Sequence, residues 1–198
     1  MSTGWPATLR EGPVTLRPIS RNDRDVWQAV RARNREWLAP WEATPPRDLG
    51  APVSFATMVR GLRTQARAGT LLPFVVTYDG ELVGQLTVGG ITYGSLCSAH
   101  IGYWVDQRVA GRGVMPTAVA LAVDHCFLVL RLHRVEVNIR PENSASLRVV
   151  EKLGFREEGL RKGFLHISGS WRDHRSFALT AEELPDGLLA RWRETSSR

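Results

Sequence analysis

The chain has 198 residues, 43% of them apolar, which is enough for one good core and short for two. Its 26 Lys and Arg against 20 Asp and Glu give a net charge of +6, which points to an anionic partner such as a phosphorylated cofactor, nucleic acid or an acidic protein face. The basic residues are dispersed, so sequence-specific nucleic-acid binding is not expected, and no apolar run is long enough for a membrane-spanning helix.

The opening MSTGWPATLREGP lacks a basic-then-apolar signal pattern. VTLRPIS, Val14 to Ser20, alternates apolar and polar residues as a half-buried strand does. Ser20 followed by Asp23 reads as a helix start, and the helix runs through VWQAVRARN. WLAPWEATPPRDLGAP, rich in proline and tryptophan, reads as a long loop of functional length. A second helix is expected from Ser54 to about Ala68, ended by Gly69. LLPFVVTYDGELVGQLTVGGI reads as strand, Asp-Gly hairpin turn and strand, with a third strand over Cys97 to Val105. TAVALAVDHCFLVL is a mostly apolar helix, whose all-round apolarity predicts burial on two sides and suggests a homodimer. HRVEVNIR is a strand, and NSASLRVVEKL a short helix with Asn143 as N-cap and Gly154 as its stop. Two last strands, around FREEGLRKGFL and RSFALT, are joined by a turn near HISGSWRDH, and the tail after Thr180 reads as a short helix. Cys97 and Cys126 sit in apolar surroundings, so both read as buried free thiols, and a reducing cytoplasm is the expected location. His100, His125 and His133 lie on different elements without metal-ligand spacing, and no metal is expected.

The stretch RVAGRGVMP, Arg108 to Pro116, stands between a strand and a helix. Helix N-terminal amides lack intrahelical partners, and with the helix dipole they favour phosphate. Glycine lets an oxygen approach the backbone closely. Pro116 is tolerated only in a first turn, which puts the helix start near Gly113 to Met115. The pattern is not a P-loop, because no Lys-Ser/Thr follows, and it lacks the third glycine of the Rossmann fingerprint. It has the form Arg/Gln-x-x-Gly-x-Gly/Ala.

RVAGRGV resembles the acetyl-CoA pyrophosphate loop of the GNAT N-acetyltransferase superfamily, and PENSASLRVVEKLGFREEG resembles that superfamily's second motif. VTLRPIS, IGYWVD and GSWRDH resemble the branch that contains the ribosomal-protein N-terminal acetyltransferases RimJ and RimL, a branch that also contains enzymes acting on small amines. The resemblance implies a single α/β domain over 1–198 with its core at about 14–180. It implies a mixed sheet of about seven strands and about four flanking helices. Two parallel strands, Ile101–Val105 and Arg134–Ile139, would splay at the cofactor. It further implies that the pantetheine arm pairs with backbone at Tyr103, Trp104 and Val105. The pyrophosphate would lie on the amides from Val109 to Val114, through Ala110, Gly111, Arg112 and Gly113, with Arg108 adding charge. The Val105 amide would face the acyl carbonyl, Asn143 would bond the pantetheine arm, and Ser146 would protonate the leaving thiolate. Ser146 is also a common first-turn serine, and Asn143 a good N-cap. Val150 stands where relatives often carry tyrosine, and Asn138, counted here with the cofactor contacts, where some carry a catalytic glutamate. Glu42 and Asp173 are then the candidate bases, with a relay through water as the alternative. Trp37, Trp41 and Trp171 are candidates for the acceptor pocket wall.

The leading expectation is acetyl transfer from acetyl-CoA to a protein N-terminal α-amine by direct attack. Acceptance by a small amine (amino sugar, polyamine or antibiotic) and a non-catalytic acyl-CoA-binding module are the alternatives.

Overall fold

The computed structural model describes residues 4–47 and 53–196. The end of the predicted Trp37–Pro52 loop, residues 48–52, lies outside them, as do the chain's first three and last two residues. Among the described residues, eight strands form one sheet: β1 (Leu9–Glu11), β2 (Val14–Pro18), β3 (Leu72–Tyr78), β4 (Glu81–Thr92), β5 (Ser98–Val105), β6 (Arg134–Ile139), β7 (Arg156–Ile167) and β8 (Ser170–Thr180). Their order is β1-β2-β3-β4-β5-β6-β8-β7. Each neighbouring pair is antiparallel except β5 with β6. The strand beyond the expected seven is β1, three residues long and too short to show a period.

Helices cover both faces. α1 (Arg24–Arg33) and α3 (Phe55–Arg67) pack on one, with Ile19, Val30, Phe55, Val59, Val75 and Leu82 between them and the sheet. α4 (Val114–Asp124), α5 (Ser144–Lys152) and α6 (Leu188–Ser196) belong to the other. β3 reads LPFVVTY without polar alternation because both its faces are buried: Val75 enters the first cluster, Phe74 and Val76 the second. The helix count exceeds four through α6 and the four-residue α2 (Arg35–Leu38).

The predicted loop from Trp37 thus begins as helix: α2 runs into a 3-10 turn at Ala39–Trp41. Ala43 then bridges Ile167, and the Thr44 amide donates to the His166 carbonyl at 2.8 Å. The predicted turn over HISGSWRDH is mostly strand. β7 and β8 pair through Leu165↔Arg172, His166↔Trp171 and Ile167↔Ser170, and only Ser168 and Gly169 turn.

α4 is buried from Val114 through Val123, and its own chain accounts for this. The sheet lies on one side and α6 on another. Asp124 accepts from the Leu188 and Leu189 amides at 2.6 and 3.1 Å, capping α6, and the Trp192 indole donates to Thr117 at 2.8 Å. The apolarity of α4 therefore carries no argument for a homodimer. Cys126 is buried, which pushes its thiol up to about 12, whereas Cys97 is only partly buried, contrary to the expectation. No helix among the described residues is long and apolar enough to cross a membrane.

Candidate active site

β5 and β6 pair only through Ser98↔Arg134, Ala99↔Val135 and His100↔Glu136. Beyond His100, β5 keeps β4 on one side, down to Gly84↔Val105, and parts from β6 on the other. The gap opens into a cavity of about 560 Å³. A Cβ on Gly84 would meet the Trp104 carbonyl at 2.4 Å, so the Trp104 backbone faces β4. Successive strand residues point their amides and carbonyls to opposite sides. Tyr103 and Val105 therefore turn theirs to the cleft, and the Trp37 indole donates to the Val105 carbonyl there at 3.3 Å. Of the three predicted backbone contacts, Trp104 is the one whose backbone faces away, although it lines the cavity.

The turn after β5 is held from below by Asp106. Its carboxylate, 1% exposed, accepts from Arg33 Nε at 3.0 Å, Asn34 Nδ2 at 3.1 Å, and Arg108 Nη2 at 3.0 Å and amide at 3.2 Å. Burial alone would raise the Asp106 pKa, but these donors outweigh it and hold the carboxyl far below the usual range. The Gln107 amide donates to Asn34 Oδ1 at 2.9 Å. The Val109, Ala110 and Arg112 amides close local turns onto Asp106, Gln107 and Val109. Gly111, Gly113, Val114 and Met115 have amides without a partner among the described residues. Gly111 and Gly113 have φ of +82° and +78°, which glycine adopts at no steric cost. A Cβ on Gly111 would meet nothing within 4 Å, so backbone conformation, not packing, requires the residue. The predicted cradle from Val109 to Val114 thus narrows and shifts: Val109, Ala110 and Arg112 have spent their amides, and Met115 joins. Four donors at the start of α4 suit a diphosphate. Arg148 and Lys152 on α5 add positive charge to the same cavity. These residues fit acetyl-CoA.

Asn143 and Ser146 line the cavity from the start of α5. Asn143 Oδ1 accepts from the Ser146 amide at 3.0 Å, so the asparagine is indeed the N-cap, and its amide nitrogen remains available to a ligand. The Tyr103 hydroxyl donates to the Ser146 carbonyl at 3.5 Å, and burial raises its pKa, keeping it protonated.

The opposite end of the cavity is made of side chains from distant segments. Trp37, Trp41 and Glu42 line it. Glu42 is ion-paired with Arg31, which lies over the Trp27 and Trp104 rings at 5.5 and 5.3 Å. Arg140 stacks on Trp41 and donates to the Pro40 carbonyl at 2.7 Å. Glu42 is the one carboxylate among the described lining residues.

Several predicted residues lie elsewhere. Asp173 sits within β8, where its carboxylate accepts from the Gly163 amide across the hairpin at 2.8 Å; it does not line the cavity. The misreading follows from taking strand for turn. Asn138 Oδ1 accepts from the Ser176 hydroxyl at 2.7 Å, on the β8 side of β6. Arg108 folds back on Asp106, and Arg112 is outside the lining. Trp171 is exposed and packs on His166. Arg31 and Asp106 were missed; Trp104 for the first, and Arg33 and Asn34 for the second, are partners on other elements. The Arg148–Lys152 pair at i, i+4 was a readable sign. No group of three or more His, Cys, Asp or Glu among the described residues could hold a metal ion.

The family described as acetyltransferase (GNAT) domain matches residues 14–156. The structure of Mycobacterium smegmatis RimJ in complex with CoA-disulfide superposes with a TM-score of 0.91 at 44% identity, covering 98% of this chain and 96% of that one. The [ribosomal protein uS5]-alanine N-acetyltransferase of Escherichia coli is 29% identical over 170 residues, 84% of this chain and 88% of that protein. The probable N-acetyltransferase YjcK of Bacillus subtilis is 42% identical over 101 residues, but the match spans only 56% of its length.

Proposed function

We propose, for a chain that belongs to the acetyltransferase (GNAT) domain family and is an acetyl-CoA-dependent N-acetyltransferase, that the acceptor is the N-terminal α-amine of a protein, a ribosomal protein first among candidates. The observation that carries the choice of acceptor is the far end of the cleft. Among the described residues its single carboxylate, Glu42, is already paired with Arg31, and tryptophans form its walls. A polyamine prefers several free carboxylates, and the described lining offers it none. An α-amine, with a reference pKa near 8, is partly neutral at pH 7 and needs little help to become a nucleophile. A lysine side chain, near 10.4, costs about 3 kcal/mol more to deprotonate. The relative from E. coli is named for an alanine acceptor on a ribosomal protein.

Acetyl-CoA supplies an activated thioester, and the protein orients it. The Gly111, Gly113, Val114 and Met115 amides bind the diphosphate, with Arg148 and Lys152 beside it. The Tyr103 and Val105 backbone holds the extended arm like an added strand. The Val105 N–H points to where negative charge develops on the transferred carbonyl, and preorganised donors of this kind contribute most when they need no reorientation. The Ser146 hydroxyl gives a proton to the departing sulfur. Glu42 or a water beside it takes the proton of the attacking amine. The experiment is a screen of peptides with free N-termini against amino sugars and polyamines, reading released thiol. Turnover with peptides is expected; turnover with small amines alone would overturn the assignment.

A further inference from the structure

A second concave surface lies at the other end of α1. Ser20, Arg21, Asn22, Arg60, Arg63, Thr64 and Arg67 enclose about 500 Å³ there. The active cleft receives Arg31 near the C-terminus of α1, whereas Arg21 and Asn22 immediately precede its N-terminus. The ten residues of α1 span about 15 Å at 1.5 Å per residue, so the two hollows share one helix without overlapping.

The charge of this hollow is all of one sign. Several arginines elsewhere pair with carboxylates: Arg134 with Glu158, Arg156 with Glu183, Arg175 with Glu157 and Arg193 with Glu11. Arg21, Arg60, Arg63 and Arg67 are all exposed, and none has an ion-pair partner among the described residues. α3 contributes three of them and contains no acidic residue. Spacings of three and four put Arg60, Arg63 and Arg67 on one helix face, a row of about 10 Å. The nearby Asp23 is buried and occupied: it accepts from Arg17 at 2.7 and 3.0 Å and from the Ser20 amide at 2.7 Å. Among the described residues the lining is guanidinium, hydroxyl and amide, with no apolar side chain to anchor a protein or to enter a bilayer. Guanidinium forks match phosphate oxygens bidentately, and a row of them matches a repeating phosphate chain.

We infer that the hollow between α1 and α3 binds the phosphate backbone of RNA, without sequence preference, through Arg21, Arg60, Arg63 and Arg67. The inference stands apart from the choice of acceptor, because free peptides reach the active cleft without this surface. The test is fluorescence anisotropy with a labelled single-stranded oligouridylate across a salt series. Each phosphate contact to a single strand contributes about −0.7 to the slope of log K against log salt, so four contacts give about −2.8. The triple variant R60Q/R63Q/R67Q is expected to reduce the slope to about −0.7 and to weaken binding about a hundredfold at 0.1 M salt. R63E alone is expected to weaken it about fivefold or more. Thermal unfolding and peptide acetylation should be unchanged in both. Unchanged RNA affinity in the triple variant would overturn the inference, as would preference of the wild type for phosphatidylserine vesicles over RNA at equal phosphate. Loss of peptide turnover in the wild type would instead count against the proposed acceptor alone.

Discussion

The two ends of the cleft are built by different means. At the donor end, the groups proposed for the diphosphate are the backbone amides of Gly111 and of Gly113 to Met115, set by glycines at φ near +80° and by a helix start. At the acceptor end, Arg31, Trp37, Trp41 and Glu42 come from α1, α2 and the segment after it, and meet Trp104 and Arg140 from remote strands and turns. The donor end recognises something common to every turnover, so main chain suffices. The acceptor end must discriminate, and its identity resides in side chains that can change without disturbing the fold.

That contrast can be broken most severely at Gly111. Gly111→Glu forces a side chain into the left-handed region, at about 1–2 kcal/mol, and places an anion among donors meant for phosphate. Acetyl-CoA binding by calorimetry should be abolished, while the fold survives by circular dichroism; retained affinity would remove this loop from the site.

Asp106→Ala comes next, because it removes the support beneath that loop. The buried carboxylate leaves Arg33, Asn34 and Arg108 unsatisfied, and deleting one member of such a buried pair costs about 3–5 kcal/mol. The partial exposure of both arginines puts the expectation near about 3 kcal/mol in urea unfolding. The pH dependence has a definite sign. The folded pKa of Asp106 lies below its unfolded value near 3.9, so its contribution is complete above about pH 5 and is lost as the pH falls through the folded pKa. The stability gap between wild type and variant should therefore be flat from pH 7 to 5 and close in stronger acid. A gap that widens in acid would contradict the assignment.

Ser146→Ala tests the junction between the two ends. Loss of a positioned acid should lower kcat about a hundredfold with acetyl-CoA affinity unchanged. Equal turnover would leave proton delivery to water. The smallest effect is expected for Asp173→Asn: no change in kcat, and a stability loss of about 1 kcal/mol from the weakened bond to the Gly163 amide. A large fall in kcat would return Asp173 to the chemistry.

The same contrast explains what the sequence could disclose. RVAGRGVMP was legible because its physics is local: φ, helix start and proline position are set within nine residues. Asn143 was legible as a cap for the same reason. Asp106 was not, since its partners Arg33 and Asn34 lie 73 and 72 residues away and no spacing links them. Arg31 gave no sign for a like reason: Glu42 and Trp104 meet it only after α1 packs on the sheet. Asp173 was placed in a loop although a signal against that placement existed. Ser168-Gly169 is a two-residue hairpin turn, and reading it as such would have extended both strands and removed Asp173 from any loop.

The most direct measurement is a crystal structure of the protein with acetyl-CoA. The account predicts diphosphate oxygens within hydrogen-bonding distance of the Gly111 and Gly113 amides, and the acetyl carbonyl facing the Val105 N–H with its sulfur beside Ser146. A diphosphate held away from the start of α4, with those amides still facing solvent, would contradict it.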